Sequence, residues 1–225
     1  MKLSLIMPAR NEAAALGPLL AEIRRLLPEA EVIVVDDGST DATGRTMAQR
    51  KGILFRTQAN GGPGRARNHG VTLAQGKIVL FIGDDTVPAP RFLSEHARVH
   101  RAANDDPLVA CLGYTGWPDG ERVTAFMDYI NDYGLQFGYK LIRDGDVVPF
   151  NFFYTSNISI DRQLLVEQVL LRPLGRLDRL DLERAVVLEA GRRRDQLADD
   201  HVFLQTNELV ALALQRSVGE HLRRL

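Results

Sequence analysis

The apolar positions in the first half of the chain follow two alternating patterns. Short apolar runs without helical periodicity, at residues 3–7 and 78–82, are typical of strands that are buried on both faces. Between such runs, apolar residues recur at helical spacing, as at Leu16, Leu20 and Ile23. Strands that alternate with helices of this length favour a parallel sheet with right-handed crossovers.

The same reasoning predicts the other elements of the first two thirds. Asn11 is expected to cap the first helix and Ser39 or Thr40 the second, because short polar side chains accept hydrogen bonds from the free N–H groups at a helix start. The expected fold class is α/β with a mixed, mostly parallel sheet. Further strands are predicted at residues 32–35, 53–55, 108–113 and 152–160, and further helices up to residue 50 and at residues 65–75 and 91–102.

The pattern changes in the second half of the chain. Residues 114–150 combine Trp117, tyrosines and glycines, which favours an irregular segment with binding character. From about residue 169 arginine and leucine dominate, and leucine spacing predicts helices near residues 177–188 and 204–214. We therefore expect one domain at residues 1–168 and a helical appendage at 169–225. The alternative left open is that residues 169–225 do not encode a selected fold.

Composition excludes several classes of protein. Hydrophobic residues make up 45% and charged residues 25% of the 225 residues, which suits a globular chain and not a disordered one. The net charge of -1 provides no global basic field for nucleic acid. The single cysteine excludes an internal disulfide framework. No apolar run reaches the ~18 residues of a membrane span, so we expect a soluble, cytoplasmic protein, with peripheral contact at the inner face of the membrane left open.

Three polar clusters follow predicted strands directly. Residues 8–12 read Pro-Ala-Arg-Asn-Glu, residues 36–41 read Asp-Asp-Gly-Ser-Thr-Asp, and residues 83–86 read Gly-Asp-Asp-Thr. In open parallel sheets, ligands bind beyond the carboxyl ends of the strands, so the three clusters are expected to share one rim. Helix capping requires one short polar group and does not explain adjacent carboxylates.

The residue types in these clusters indicate a phosphorylated ligand. Asp84 and Asp85 repel each other unless a cation compensates them, and hard oxygen ligands favour Mg²⁺ or Mn²⁺ with substrate phosphates. The Asp37 carboxylate is suited to accept hydrogen bonds from a base N–H or from ribose hydroxyls. Arg65 and Arg67 follow a glycine-rich loop at a predicted helix start, where phosphate is attracted. The loop is not a P-loop, because the Gly-Lys-Ser/Thr ending is missing.

These motifs together resemble a family 2 glycosyltransferase with the GT-A fold, over roughly residues 2–168. The resemblance implies a Rossmann-like three-layer sandwich and transfer of a sugar from a nucleotide diphosphate donor to an acceptor hydroxyl, usually with inversion. The motifs that carry it are Pro8…Asn11-Glu12, the acidic run at 36–41, Ala66-Arg67-Asn68…Gly70, Gly83-Asp84-Asp85, and Thr155-Ser156-Asn157-Ile158-Ser159.

The resemblance also implies roles for particular residues. Asp85 would coordinate Mg²⁺ or Mn²⁺, although Gly83 stands where the family often has a first aspartate, so weaker coordination is expected. The acceptor could be a glycan, a lipid or a small molecule, and nucleic acid is not expected as a partner. The nucleotide site would be formed by Pro8, Arg10, Glu12 and Asp37.

The chain departs from the family at the catalytic base. Family members usually carry a Glu-Asp or Asp-Asp pair 20–40 residues past the strand with the Asn-x-Ser motif, and no such pair lies between Asn157 and Arg194. The first candidate is Asp199-Asp200, with Asp200 as the base. The alternative function is therefore a nucleotide-sugar-binding module without turnover. A phosphoacceptor receiver domain ranks last, because no suitably placed lysine follows a fifth strand.

Overall fold

The computed structural model describes residues 2–48, 50–117, 122–133, 137–142, 147–148, 152–166, 185–189 and 209–214. Only the backbone is described for residues 147–148, 185–189 and 209–214. The chain forms two compact units, one of residues 1–87 with 155–175 and one of residues 88–154 with 176–225.

Strands and helices alternate through residue 113. The strands are β1 Leu3–Ala9, β2 Glu31–Asp36, β3 Ile53–Thr57, β4 Ile78–Ile82, β5 Val109–Gly113, β6 Val147–Val148, β7 Asn157–Asp161, β8 Ala185–Glu189 and β9 Leu209–Leu214. The helices are α1 Leu16–Leu26, α2 Thr43–Ala48, α3 Pro63–Leu73, α4 Phe92–Ala102, α5 Ala125–Asp132 and α6 Arg162–Leu165, with a 3₁₀ turn at Tyr139–Leu141.

The sheet of the first unit runs in the order β3-β2-β1-β4-β7. Strands β1 to β4 are parallel to one another. Strand β7 pairs with β4 in the antiparallel sense. Every residue of β1 and β4 is buried, as the continuous apolar runs predict. The mixed, mostly parallel sheet expected from the sequence is therefore present, and the carboxyl ends of β1, β2 and β4 lie at one edge.

Helix α3 packs against β1 through a glycine. A Cβ added at Gly70 would lie 2.4 Å from Cγ2 of Ile6, whose side chain is fully buried in β1. No real Cβ approaches a carbon this closely, so the helix can sit at this distance from the sheet only without a side chain at position 70. The contact sets the distance between α3 and the sheet that carries the polar clusters at its edge.

Gly70→Ala is expected to destabilise the fold by about 1–3 kcal/mol, because the overpacking outweighs the gain in helix propensity. Gly64→Ala in the same helix is the matched control, since a Cβ there meets nothing within 4 Å. That control should raise stability by up to about 1 kcal/mol. Urea unfolding of both variants gives the comparison. Equal effects of the two substitutions would contradict the proposed contact.

The second unit contains an aromatic cluster beside β5. The rings of Tyr114 and Tyr139 lie 4.7 Å apart, and those of Phe137 and Tyr154 lie 5.1 Å apart. The Tyr139 hydroxyl donates to the Gly113 carbonyl at 3.2 Å, and burial raises the pKa of Tyr139. Tyr139 is buried and the other three rings are half-buried around it, so three of the five tyrosines in residues 114–154 have a structural role.

The prediction of a helical appendage is wrong where the structure describes that region. Residues 185–189 and 209–214 are strands β8 and β9, which pair with each other and, through β9, with β5 in the antiparallel sense. The apolar run at 209–214 has no polar interruption, and such a run fits a buried strand as well as a helix. The two valines at 186–187 add β propensity. The boundary at residue 168 falls outside the described residues.

Candidate functional site

The loops after β1 and β2 are held together by reciprocal hydrogen bonds. The Asn11 N–H donates to Ser39 Oγ at 2.8 Å, and the Thr40 N–H donates to Asn11 Oδ1 at 2.8 Å. Asn11 adopts a left-handed backbone conformation with φ of 59°, which asparagine tolerates better than most residues. The prediction that Asn11 caps α1 is wrong, because its side chain binds the neighbouring loop and α1 begins only at Leu16.

A second pair of contacts extends this connection to the start of α2. Asp41 accepts from the Thr43 N–H at 2.9 Å and from the Ala13 N–H at 3.2 Å. The Glu12 N–H donates to Thr43 Oγ1 at 3.0 Å. Asp41 therefore accepts the N–H of Thr43, the first residue of α2, and the prediction that Ser39 or Thr40 caps this helix is wrong. The first two polar clusters form one continuous surface.

Asp36 and Asp37 have different environments although they are adjacent. Asp36 Oδ1 accepts from the Ser39 N–H at 3.0 Å and from the Ser39 hydroxyl, so this carboxylate organises its own turn. The turn requires Gly38, which has φ of 75° and whose added Cβ would lie 2.9 Å from the Asn60 nitrogen. Asp37 faces the loop after β3 instead, which makes it the carboxylate of this pair that can serve a ligand.

The Asp37 carboxylate receives three N–H groups. Gln58 Nε2 and the Gly61 N–H donate to Oδ1 at 2.8 and 2.9 Å, and the Gly62 N–H donates to Oδ2 at 2.7 Å. Burial alone would raise the pKa of Asp37, but these hydrogen bonds and the charge of Arg10 lower the pKa below its ordinary value. Two carboxylate oxygens accept about four hydrogen bonds, so Oδ2 can accept one more.

The third cluster shares the electrostatic field of the first. Burial raises the pKa of Asp84, and the negative charges of Glu12 and Asp85 raise it further. A hydrogen bond from the backbone N–H of Arg10 to this carboxylate lowers the pKa in part. Glu12, Asp84 and Asp85 are therefore close enough to repel one another. Since Arg10 also acts on Asp37, the structure brings the three clusters together at the carboxyl edge of the sheet, as the sequence predicts.

The conformation of Asp85 depends on the residue at position 83. The Asp85 side chain is exposed, and its Oδ1 accepts from the Thr86 hydroxyl at 3.2 Å. A Cβ added at Gly83 would lie 2.4 Å from the same Oδ1. A side chain at position 83 would therefore require the Asp85 carboxylate to move, so Gly83 allows the present conformation of Asp85.

The two arginines occupy different settings. Arg65 is exposed, and its aliphatic part lies over Gly61, where an added Cβ would be 2.4 Å from Arg65 Cδ. Burial lowers the pKa of Arg67, and the charge of Asp84 partly offsets this effect. Within the part of the chain that the structure describes, the buried Nε of Arg67 has no hydrogen-bond partner. A buried donor without a partner is costly, which favours an anionic ligand here.

The carboxylates suit a divalent cation that shares its coordination with a ligand. Among residues 2–48, 50–117 and the other described ranges, no group of three His, Cys, Asp or Glu side chains could hold a metal. Asp84 and Asp85 nevertheless supply hard oxygen donors, and a cation would relieve the repulsion that raises the pKa of Asp84. Mg²⁺ and Mn²⁺ commonly bind one or two carboxylates together with phosphates and water, so these residues fit such an ion.

The remaining predicted residues lie in different places. Pro8 is buried within β1, opposite Val35 of β2, while Arg10 is exposed directly after the strand. Asp200 lies outside the described residues. Sequence reasoning missed Gln58, which follows β3 as directly as the polar clusters follow β1, β2 and β4. Its position at a strand end was the available signal, but a single amide did not stand out beside paired carboxylates.

Comparison with known proteins gives a family match over most of the chain. The family described as Glycosyl transferase family 2 matches residues 4–164. A poly(ribitol-phosphate) beta-glucosyltransferase of Bacillus spizizenii is 32% identical over 38% of this chain and 15% of its own length. A dodecaprenyl-phosphate galacturonate synthase of Rhizobium johnstonii is 33% identical over 40% of this chain and 30% of its own length. The chain therefore spans less than a third of either relative.

Solved structures with a similar fold include two glycosyltransferases. Staphylococcus aureus TarS superposes with a TM-score of 0.57 at 23% identity, over 77% of this chain and 30% of that chain. The mannosyltransferase PcManGT from Pyrobaculum calidifontis, solved with GDP-Man and Mn²⁺, superposes with a TM-score of 0.51 at 22% identity, over 74% of this chain and 46% of that chain. These likenesses confirm the GT-A fold. Among the described residues, no helix is both long and apolar enough to cross a bilayer.

Proposed function

The chain belongs to glycosyl transferase family 2, and on that premise we propose that it transfers a sugar from a nucleotide diphosphate sugar to an acceptor hydroxyl. The observation that carries the proposal is the Asp37 carboxylate, held by three N–H groups at the carboxyl end of β2 with one acceptor position remaining. The two carboxylates of Asp84 and Asp85 stand at the same edge. This combination of groups suits a nucleoside next to a diphosphate.

Each part of the donor has a proposed partner. The nucleoside binds Asp37, with Pro8, Arg10 and Glu12 on the neighbouring loop. The diphosphate lies toward Arg67 and Arg65, because the unpartnered Nε of Arg67 can donate to a phosphate oxygen. Asp84 holds Arg67 by charge. Orienting the donor in this way lowers the entropic cost of bringing the sugar carbon to the acceptor oxygen.

The reaction exchanges one bond to the anomeric carbon. The acceptor oxygen attacks this carbon from the face opposite the nucleotide, the bond to the distal phosphate oxygen breaks, and the hydroxyl proton passes to a carboxylate base. This course inverts the anomeric configuration. Negative charge develops on the leaving diphosphate, where Arg67 stabilises it. A Mg²⁺ or Mn²⁺ ion held by Asp85, with Asp84 beside it, would supply further positive charge at that oxygen.

Asp200 is the proposed base, because Asp199-Asp200 is the first pair of adjacent acids after Asn157 and the reaction needs a carboxylate that takes the hydroxyl proton. The acceptor is a glycan, a lipid or a small molecule. The absence of an acidic pair between Asn157 and Arg194 favours a second candidate function, a module that binds nucleotide sugars without turnover. Unchanged donor binding and no product, in both the wild type and Asp200→Asn, would support this second function.

Isothermal titration with UDP, GDP and dTDP, each with and without Mn²⁺, tests the proposal. We expect at least one of the three nucleotides to bind, and to bind more tightly when Mn²⁺ is present, because a cation held by Asp85 would add positive charge near the diphosphate. Binding of one nucleotide alone would identify the base of the donor. If none of the three binds under either condition, or if binding is indifferent to Mn²⁺, the metal-assisted transfer proposed here is wrong.

A further inference from the structure

Asp37 is held by two kinds of donor. The Gly61 and Gly62 N–H groups belong to the backbone of the loop before α3, and their positions follow from the course of the chain. The third donor, Gln58 Nε2, belongs to a side chain with several rotatable bonds. A long flexible amide forms a well-directed hydrogen bond only when its other end is also fixed, because otherwise its rotamer entropy opposes the contact.

The other end of the Gln58 amide is held by His69. Gln58 Oε1 lies 3.0 Å from His69 Nδ1, which is on α3 eleven positions along the chain. Both side chains are half-buried, so water competes less for this contact than at the surface. The contacts therefore form a series from His69 through Gln58 to Asp37, which we call the Asp37 relay.

The chemistry of the relay has only one consistent arrangement. An ionised carboxylate accepts hydrogen bonds and cannot donate them, so the Gln58 NH₂ group must face Asp37 and the carbonyl must face His69. His69 Nδ1 must then carry a proton. Both the neutral imidazole protonated on Nδ1 and the charged imidazolium satisfy this requirement, so the relay is kept in either charge state of the ring.

We infer that His69 is a positioning residue of the proposed nucleotide site: acting through Gln58, it holds the Asp37 carboxylate in the orientation that leaves one acceptor position on Oδ2. The inference rests on the proposed function for the identity of the ligand. Gln58 and Gly61 occupy Oδ1, and Gly62 alone occupies Oδ2. If the hydrogen bond from Gln58 is lost, the Asp37 carboxylate can rotate. The hydrogen bonds from Gly61 and Gly62 can then be distributed differently over its two oxygens, so the remaining acceptor position is no longer fixed.

Substitution of His69 tests the relay with the full chain, with UDP, GDP and dTDP as probes in isothermal titration. His69→Leu removes the donor, and we expect nucleotide affinity to fall about 3- to 10-fold, the value of one hydrogen bond. His69→Asn can place an amide N–H near the position of Nδ1 and should restore most of the affinity. Thr72→Val is the matched control on α3, because Thr72 is exposed and its hydroxyl donates only to the His69 carbonyl.

A double-mutant cycle with Gln58→Leu separates a positioning role from general damage. If His69 acts through Gln58, His69→Leu has no further effect on affinity once Gln58 is replaced. An equal loss of affinity in both backgrounds would overturn the inference, as would wild-type affinity in His69→Leu. NMR of the imidazole nitrogens gives an independent check, since the relay requires a proton on Nδ1. A neutral ring protonated only on Nε2 would also overturn it.

A measurement without nucleotide distinguishes failure of the inference from failure of the proposed function. Carbon NMR of the Asp37 carboxyl follows its titration in the wild type and in His69→Leu. We expect a higher pKa of Asp37 in the variant, because the hydrogen bond from Gln58 that favours the ionised form is weakened. If none of UDP, GDP and dTDP binds the wild type, the proposed function fails while this shift still supports the relay. An unchanged pKa of Asp37 overturns the relay whatever the nucleotides do.

Discussion

Asp85→Asn is expected to lower the rate of nucleotide diphosphate release from a sugar donor by about 10²- to 10³-fold, the usual effect of losing one group that stabilises developing negative charge. The substitution keeps the shape of the side chain and its contact with Thr86, and removes one negative charge from a set that includes Asp84 and Glu12. A divalent cation held by Asp85 as proposed would then lose its exposed carboxylate ligand, while the fold keeps its packing.

Rates measured over a range of Mn²⁺ concentrations check this prediction. The variant should require much more Mn²⁺, and electron paramagnetic resonance should show weaker Mn²⁺ binding in the absence of donor. Glu29→Gln is the matched control, since Glu29 is an exposed acid at the opposite end of β2 and should leave both quantities unchanged. Equal Mn²⁺ requirements in Asp85→Asn and in the wild type would contradict a role for Asp85 as a metal ligand.

The sequence predicted the convergence of the three clusters because that result depends only on topology. Glu12, Asp37 and Asp84 each follow a strand of a parallel sheet, and parallel strands end at one edge. No detail of side-chain geometry is needed for this inference. It holds even though the clusters are separated by more than twenty residues along the chain, because β1 lies between β2 and β4.

The sequence did not predict how polar side chains are used within the loops. Asn11 and Asp41 are residue types that often cap helices. Asn11 instead binds the N–H of Thr40, which lies 29 positions further along the chain. The same residue types satisfy either role, and only the approach of two loops in space decides between them. The Gln58 to His69 contact was missed for a similar reason, since neither residue alone differs from an ordinary surface residue.

The error at the end of the chain has a different origin. The apolar run at 209–214 forms a strand because it pairs with β5 and β8, and these partners lie far away in the sequence. Short apolar runs carry no period that distinguishes a helix from a strand, so long-range pairing determines the outcome. The site elements in the first unit were easier to predict because their strands are bounded by polar residues on both sides.

Asp37→Asn is expected to weaken nucleotide binding more than about 10-fold and to destabilise the fold by about 1–3 kcal/mol. The carboxylate faces three N–H groups, whereas an amide has one accepting oxygen and one donating nitrogen. In either orientation of the amide, at least one of the N–H groups of Gly61, Gly62 and Gln58 faces another donor. The acceptor position on Oδ2 is also lost or displaced.

The dependence of stability on pH provides a second readout for Asp37. Because folding lowers the pKa of this carboxyl, ionised Asp37 stabilises the fold above the unfolded pKa, and this contribution is lost as the pH falls through the folded pKa. The stability difference between wild type and Asp37→Asn, measured by urea unfolding, should therefore be largest near neutral pH and shrink below about pH 4.

Asp161→Asn is the matched control for this prediction. Asp161 and Asp37 are both 4% exposed, but Asp161 accepts at 2.8 Å from the Gln163 N–H and pairs with Ile78 at the opposite end of β4. Asparagine can make the same cap, so this variant should keep nucleotide affinity and most of its stability. If Asp161→Asn weakens nucleotide binding as much as Asp37→Asn does, the effect reflects general loss of structure. Nucleotide binding then does not depend specifically on the Asp37 carboxylate at the end of β2.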